Sequence, residues 1–152
     1  MQQLLHLLTE LENKIPSHDK INTKVSAANV GWHIQHTTLA TVRIVDAIKQ
    51  TDPSTYKSKF NWKRTLIYTL NKLPRGKVKA PKSVQPTEEI TPEGLRSGIQ
   101  KAKNRVTELS ALQPKQYLAH PYFGNLDLKR SIRFLNLHTK HHLKIIDEIL
   151  NN

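Results

Sequence analysis

The sequence contains no cysteine, and it has only five glycines and three phenylalanines. Without cysteine the chain can form no disulfide, no thiolate metal site and no cysteine nucleophile, and this is compatible with a reducing compartment. Few glycines and aromatic residues disfavour an all-β fold, whereas abundant leucine and lysine favour helix. At 152 residues we expect a single domain over residues 1–152, with a real hydrophobic core.

Long apolar runs and a secretion signal are also lacking. No stretch approaches the roughly 20 apolar residues of a membrane-spanning helix. The first residues show no basic segment followed by an apolar core and a cleavage site. We therefore expect a cytoplasmic protein with no membrane partner.

Acidic residues are absent from residues 53–87, although the chain has twelve of them elsewhere. The segment therefore supplies most of the net charge of +12. Its basic residues are Lys57, Lys59, Lys63, Arg64, Lys72, Arg75, Lys77, Lys79 and Lys82. Such a segment could contact phosphates or anionic substrates, but a solvated surface is the commoner role of a charge run. We expect no specific nucleic-acid binding, because the nearby aromatic residues have a helical spacing typical of core packing: Tyr56, Phe60, Trp62 and Tyr68.

The spacing of apolar residues predicts five helices. They are expected over residues 2–15, 26–50, 61–73, 91–112 and 127–150. Ser26 or Asn29 can cap the second helix, Thr91 the fourth and Asp127 the fifth. Residues 74–90, with three prolines, are expected to form a long basic crossover.

Residues 113–126 contain Pro114, Pro121 and Gly124, and they predict a loop before the last helix. The predicted fold is therefore all-α. It is an antiparallel four-helix bundle with an extra short helix and a long basic crossover.

Two histidine motifs about a hundred residues apart are the main functional signal: Trp32-His33-Ile34-Gln35-His36 and His138-Thr139-Lys140-His141-His142. At about 100° per residue, His138 and His142 face inward with the apolar stripe of the last helix. His36 is the inward member of the first motif. Three imidazoles could thus hold a divalent metal and leave a coordination position open, as catalytic sites do. Hydrogen bonds to Asn29, Asn136 or a buried water could satisfy the same rings instead.

Four further side chains are candidates for contacts beside the metal or for proton transfer. His33 lies roughly 60° to one side of His36, and His141 lies roughly 60° beyond His138 on the last helix. His120 has no established direction. For all three a surface position is the commoner role. Arg43 shares the face of His36 two turns on. It could meet an anionic substrate group, pair with Asp46 or extend along the bundle rim.

Several catalytic motifs are missing. The chain has no His-Glu-x-x-His and no Glu-x-x-His, which disfavours a helical metalloprotease and a di-iron bundle. It also has no phosphate-binding glycine loop and no Gly-x-Ser-x-Gly elbow.

The chain resembles the DinB/YfiT-like superfamily of metalloenzymes in three stretches. Residues 30–38 contain Trp-His-x-x-His, residues 120–127 read His-Pro-Tyr-Phe-Gly-Asn-Leu-Asp, and residues 138–142 contain His-x-x-His-His. The ordered combination is fairly specific, and it brackets most of the chain.

The resemblance implies a four-helix bundle with an up-down-down-up arrangement. It also implies three metal ligands, one from the second helix and two that lie four residues apart on the last. These correspond to His36, His138 and His142, the set that helical periodicity also places inward. Many relatives have a glutamine three residues after the second histidine of the last pair, where this chain has Ile145.

Characterised relatives include thiol-dependent S-transferases and isomerases, in which the metal is thought to activate a low-molecular-weight thiol. The resemblance thus implies a metal-dependent transferase or hydrolase with a small-molecule substrate. The ion would be Zn, Ni, Fe or Co, a thiol is a candidate cofactor, and a homodimer is a candidate assembly. Two interpretations stay open beside it: a binding module whose basic crossover engages an anionic partner, and a family member without turnover.

Overall fold

The computed structural model describes residues 1–75, 84–86 and 89–151. Within these residues the chain is mostly helical, with one two-stranded sheet. The elements are α1 (Gln2–Asn13), α2 (Val30–Lys49), α3 (Trp62–Leu70), α4 (Pro92–Glu108), β1 (Tyr117–His120), β2 (Gly124–Asp127) and α5 (Leu128–Asn151). Short 3-10 turns lie at Ile15–Ser17, Pro53–Thr55 and Leu109–Ala111. Among the described residues, every helix is too short or too polar to cross a membrane.

The four long helices share one apolar core. Helices α1 and α2 each pack against both α4 and α5. Leu4, Leu8 and Leu11 of α1 are fully buried, as their 3- and 4-residue spacing predicts. Because α2 contacts helices on two sides, a wide part of its circumference is buried, and this includes positions beside its apolar stripe.

Side-chain caps set where helices α2, α4 and α5 begin. Asn29 accepts the backbone N–H of Trp32 at 2.8 Å, so α2 starts four residues later than the expected span of 26–50. Thr91 caps α4 as predicted. Asp127 accepts the N–H of Arg130 at 2.8 Å, which confirms the predicted start of α5.

A β-hairpin connects α4 to α5, and it corrects both the all-α prediction and the expected loop at residues 113–126. The strands pair antiparallel, with Leu118 opposite Leu126 and both side chains buried. Gly124 has a φ of 68°, a left-handed conformation that favours glycine. Each strand has only four residues. A period-two pattern is too short to recognise at this length, so the proline and glycine dominated the prediction.

Helix α3 is attached through hydrogen bonds to backbone oxygens. The buried Arg64 donates from Nη1 to Phe123 O at 3.0 Å and from Nη2 to Lys59 O at 2.9 Å. The buried Tyr68 donates its hydroxyl to Arg130 O at 2.9 Å. The predicted inward face of this region was wrong, because four side chains that it assigns to the core are exposed: Phe60, Trp62, Leu66 and Leu70.

The described part of the basic crossover is small. Residues 76–83 and 87–88, which include Lys77, Lys79 and Lys82, lie outside the described residues. The stretch 84–86 contacts α2, because the backbone oxygen of Val84 lies 2.8 Å from Nδ1 of His36.

Candidate metal centre

Four histidines from α2 and α5 meet in the contact between these two helices. Each helix contributes a pair whose members lie about one turn apart, so both members can reach the same neighbour. The ring centroids are 5.2 Å apart for His36 and His138, and 4.8 Å apart for His36 and His142. Those of His138 and His142 are 4.7 Å apart. The ring of His33 lies 5.3 Å from that of His142.

His36, His138 and His142 form a group of potential metal ligands. Each offers one ring nitrogen, and the three nitrogens lie within 4.8 Å of one another. Two nitrogens that bind one zinc ion at ~2.1 Å are at most about 4.2 Å apart, so small side-chain shifts would bring this group onto one ion. The predicted convergence of the three histidines is confirmed, and their binding of an ion stays a prediction.

His36 presents an unprotonated Nε2 because its other nitrogen is hydrogen-bonded. Nδ1 lies 2.8 Å from the backbone oxygen of Val84, which can only accept, so Nδ1 carries the proton of the neutral ring. The indole of Trp32 stacks on the imidazole, with centroids 5.0 Å apart and an interplanar angle of 13°. Burial lowers the pKa of His36, while the Val84 hydrogen bond opposes this change. The ring is thus held in the neutral form that binds metals.

His142 is buried, and its Nδ1 lies 3.0 Å from Nδ1 of His33. Burial, followed by the neighbouring His138, lowers the pKa of His142 well below its usual range. This ring is also neutral near pH 7, and the pairing of its Nδ1 leaves Nε2 for an ion.

His138 differs from the other two because its buried Nδ1 has no hydrogen-bond partner among the described residues. Burial lowers the pKa of this ring to about 3. An unpartnered buried polar atom costs about 1–3 kcal/mol. A metal ion would remove this cost if Nδ1 were the ligand atom, so the orphaned nitrogen and the three neutral imidazoles fit a divalent ion.

The hydrogen-bonded alternatives to an ion do not occur with the expected partners. The side chain of Asn29 caps α2. The amide of Asn136 donates to the backbone oxygen of Ile132 at 2.8 Å. Neither asparagine therefore satisfies the three rings among the described residues.

His33 is closer to the cluster than its 60° offset predicts. Its side chain is 4% exposed and contacts His142 on one edge and Ser26 Oγ, at 3.0 Å from Nε2, on the other. The wide buried surface of α2 explains this position. His141 is half-buried, with its ring edge-on to His142 at a centroid distance of 5.2 Å.

His120 and Arg43 do not join the cluster. His120 stacks on Phe123 in the hairpin, with ring centroids 4.5 Å apart. Arg43 is exposed, which corrects the expectation that it faces inward with His36. Asp46, one of the groups that Arg43 could contact, pairs with Arg105 at 2.8 Å.

Two groups at the site had no functional signal in the sequence. The sequence predicts only a helix-capping role for Ser26, yet its hydroxyl contacts His33. Val84 contributes a backbone oxygen, and every residue has one, so side-chain identity cannot indicate this role. Only the tertiary fold brings residue 84 to residue 36.

Comparison with known proteins identifies the family to which the chain belongs. A family model of the DinB superfamily matches residues 1–146. No curated protein and no solved structure matches the chain. The match covers nearly the whole chain and all four histidines of the cluster, and the chain therefore belongs to the DinB superfamily.

Proposed function

We propose that this protein is a metal-dependent enzyme, a transferase or hydrolase that acts on a small molecule. His36, His138 and His142 would hold one divalent ion. The observation that carries the proposal is the convergence of three neutral ring nitrogens within 4.8 Å of one another. Three protein ligands leave a coordination position for a water or a substrate, which is the usual form of a catalytic site.

A bound divalent ion would act as a Lewis acid and lower the pKa of a water or thiol so that it becomes a nucleophile near neutral pH. The chain's own residues supply the conditions for this chemistry. Burial keeps the three imidazoles in their neutral form, and Val84 O orients the ring of His36. The Trp32 indole covers one face of the His36 ring and shields it from water.

Ile145 is buried and apolar at the position where many relatives have a glutamine. An isoleucine side chain cannot hydrogen-bond a bound nucleophile. His141 is a polar side chain beside the three ligands that can make such a contact, because its ring lies 5.2 Å from that of His142 in a T-shaped arrangement. We therefore propose that His141 contacts the substrate or the nucleophile.

The metal content of tag-free protein tests the proposal. We expect close to one divalent ion per chain after purification, or after loading with Zn, Ni, Fe or Co followed by desalting. His36→Ala and His138→Ala should each lose the ion. His6→Ala is a matched control, since His6 is exposed and pairs with Glu10 on α1. Equal metal content in all four proteins, or none in the wild type, would contradict the site.

Activity assays with the metal-loaded protein distinguish an S-transferase from a hydrolase. An electrophilic small molecule is supplied with and without a low-molecular-weight thiol. Thiol consumption that depends on the ion supports an S-transferase, and hydrolysis without thiol supports a hydrolase. A bound ion without any turnover would support the non-catalytic interpretation.

A second candidate function is an anion-binding module formed by the basic crossover. The observation that favours it is Arg75, near the start of the basic crossover, whose guanidinium pairs with both carboxylate oxygens of Glu148 on α5, at 2.5 Å and 3.0 Å. This ion pair attaches the crossover to the helix that carries His138 and His142. Binding of an anionic ligand that weakens steeply with salt and does not depend on metal would favour this function.

We also propose that the helices of the bundle are arranged up-down-down-up. We propose a cytoplasmic location, which a fluorescent fusion protein would test. We also propose a homodimer, for which the exposed apolar side chains of α3 offer a surface. Light scattering should then show a dimer that Leu66→Glu converts to a monomer.

A further inference from the structure

We propose that His33 is a positioning residue for the metal ligand His142, and that Ser26 in turn orients His33. The inference rests on the proposed metal site. It is carried by a chain of three side chains joined at 3.0 Å each, from Ser26 Oγ through His33 to His142 Nδ1.

The contact between the rings of His33 and His142 restricts which of their nitrogens can carry a proton. Two Nδ1 atoms lie 3.0 Å apart. In a neutral imidazole one nitrogen donates and the other accepts, so one of these two atoms must carry a proton and the other must not. The tautomer of His33 therefore fixes the tautomer of His142, and both rings are buried away from water.

An ion on His142 Nε2 selects one arrangement of protons. His142 Nδ1 then carries the proton and donates to His33 Nδ1. The proton of His33 lies on Nε2, which donates to Ser26 Oγ at 3.0 Å. Ser26 Oγ also accepts the backbone N–H of Ala28 at 3.1 Å, which holds the hydroxyl in place. Every nitrogen in the chain of contacts is satisfied in this state.

The opposite arrangement blocks the site. If His33 Nδ1 carries the proton and donates to His142, the proton of His142 moves to Nε2 and that nitrogen cannot bind an ion. Ser26 then donates its hydroxyl proton to His33 Nε2. Metal binding and the direction of the hydrogen bonds are thus coupled. Loss of the acceptor at His33 should therefore lower the affinity of the site for the ion.

The three ligand histidines are held in different ways. His36 donates to a backbone oxygen, His142 contacts an imidazole, and His138 Nδ1 has no hydrogen-bond partner among the described residues. Hydrogen bonds from the outer nitrogen fix the orientation of a ligand histidine and raise its basicity. Of the two Nδ1 hydrogen bonds among these ligands, only that of His142 is made to a side chain, which a substitution can replace.

The zinc affinities of four variants and the wild type, measured by competition with a chelator, test this role. His33→Leu removes the acceptor and should weaken binding by ~10–100-fold. His33→Asn places its Oδ1 where Nδ1 was and should restore affinity to within about threefold of the wild type, a rescue that loss of packing cannot explain. Ser26→Ala should weaken binding less than His33→Leu, because the acceptor remains. His6→Ala is the control and should bind as the wild type does.

Nitrogen-15 NMR of the zinc-loaded wild type gives an independent readout that needs no variant. We expect the proton of His142 on Nδ1 and a coupling across the hydrogen bond to Nδ1 of His33. A proton on Nε2 of His142 would overturn the inference even if His33→Leu failed to fold.

Other outcomes separate the two proposals. Wild-type affinity in a folded His33→Leu protein overturns the role of His33 and leaves the metal site intact. Equal losses in His33→Leu and His33→Asn overturn it as well, since they would indicate packing. A wild type that binds no zinc or other divalent ion contradicts the metal site itself, and this inference fails with it.

Discussion

Helices α2 and α3 are attached to the rest of the protein by different kinds of contact. Helix α2 meets α5 through four histidines, three of them buried as whole residues and the fourth with its Nδ1 buried, beside an apolar core. Helix α3 instead uses Arg64 and Tyr68, which donate hydrogen bonds to backbone oxygens. Its tryptophan and two of its leucines point to solvent.

This difference indicates that the α2–α5 contact is a candidate functional site, whereas the contacts of α3 attach that helix to the rest of the protein. Buried imidazoles between α2 and α5 add polar groups to a contact that apolar residues could stabilise better, and one of their nitrogens has no partner among the described residues. Such a cost is expected where the arrangement serves a function. In α3, by contrast, the buried polar groups satisfy carbonyls of the hairpin and of α5, so they have a structural role.

The largest effect is expected from His142→Ala, which tests the α2–α5 contact as a site. Direct loss of a ligand should lower zinc or nickel affinity by more than the ~10–100-fold that loss of an outer partner costs. The helical signal in circular dichroism should persist, because the apolar stripe of α5 remains. Isothermal titration checks the affinity. Unchanged binding would refute the ligand assignment, and a collapse of helicity would show that His142 is mainly a packing residue.

The attachment of α3 is tested by Arg64→Leu. The change leaves the backbone oxygens of Phe123 and Lys59 without their donor, which should cost ~1–3 kcal/mol. Amide hydrogen exchange in α3 should then accelerate roughly 5- to 150-fold, while α1 is unaffected. Thr69→Ala is the matched control, because Thr69 is an exposed polar residue of the same helix and its change should alter stability by less than about 0.5 kcal/mol. Equal effects of the two variants would show that Arg64 does not hold α3.

The hairpin that accepts a hydrogen bond from Arg64 also contains His120. We expect the stability of the protein to depend on pH through this histidine. Its Nδ1 accepts the backbone N–H groups of Tyr122 and Phe123, both at 3.2 Å, and burial lowers its pKa to about 4. Because the unfolded ring titrates near 6.5, this contribution to stability is present above pH 6.5. It is lost as the pH falls from 6.5 through 4.

His120→Asn isolates this contribution, since asparagine can accept the same two hydrogen bonds without titrating. Urea unfolding at pH 7 and pH 4.5 should show a smaller loss of stability in the variant than in the wild type. The other buried histidines act in the same direction in both proteins, so the difference between them reports His120. Identical losses would show that His120 does not contribute.

The sequence was sufficient to predict helix caps and the inward direction of His36, His138 and His142. Asn29, Thr91 and Asp127 are local signals, because a cap depends on side chains within one turn. The stripe of α5 is long and strongly periodic, so its direction is well determined. Both predictions depend on short-range geometry alone.

Long-range contacts explain the predictions that failed. Apolar spacing in α3 identifies a face, but the hairpin that it must contact offers carbonyls, and Arg64 takes the inward position. The inward face of α2 is not constant along the helix, so Arg43 is exposed although His36 is buried. The contact of His33 with His142 depends on the packing of α2 against α5, which one helix's pattern cannot show.

The smallest effect concerns nucleic acid and the exposed face of α3. Two of the aromatic residues expected in the core, Phe60 and Trp62, are exposed, so packing no longer argues against base contacts there. We still expect only weak duplex DNA binding without sequence preference, because bases in a duplex are stacked and the remaining attraction is to phosphates. The dissociation constant of such binding is ~10⁻⁴ to 10⁻⁶ M at physiological salt.

Trp62→Ala should leave this DNA affinity unchanged, and Lys63→Glu should lower it and flatten its salt dependence. Nanomolar affinity for a defined oligonucleotide, lost in Trp62→Ala, would make α3 a binding surface and favour the anion-binding module over the enzyme.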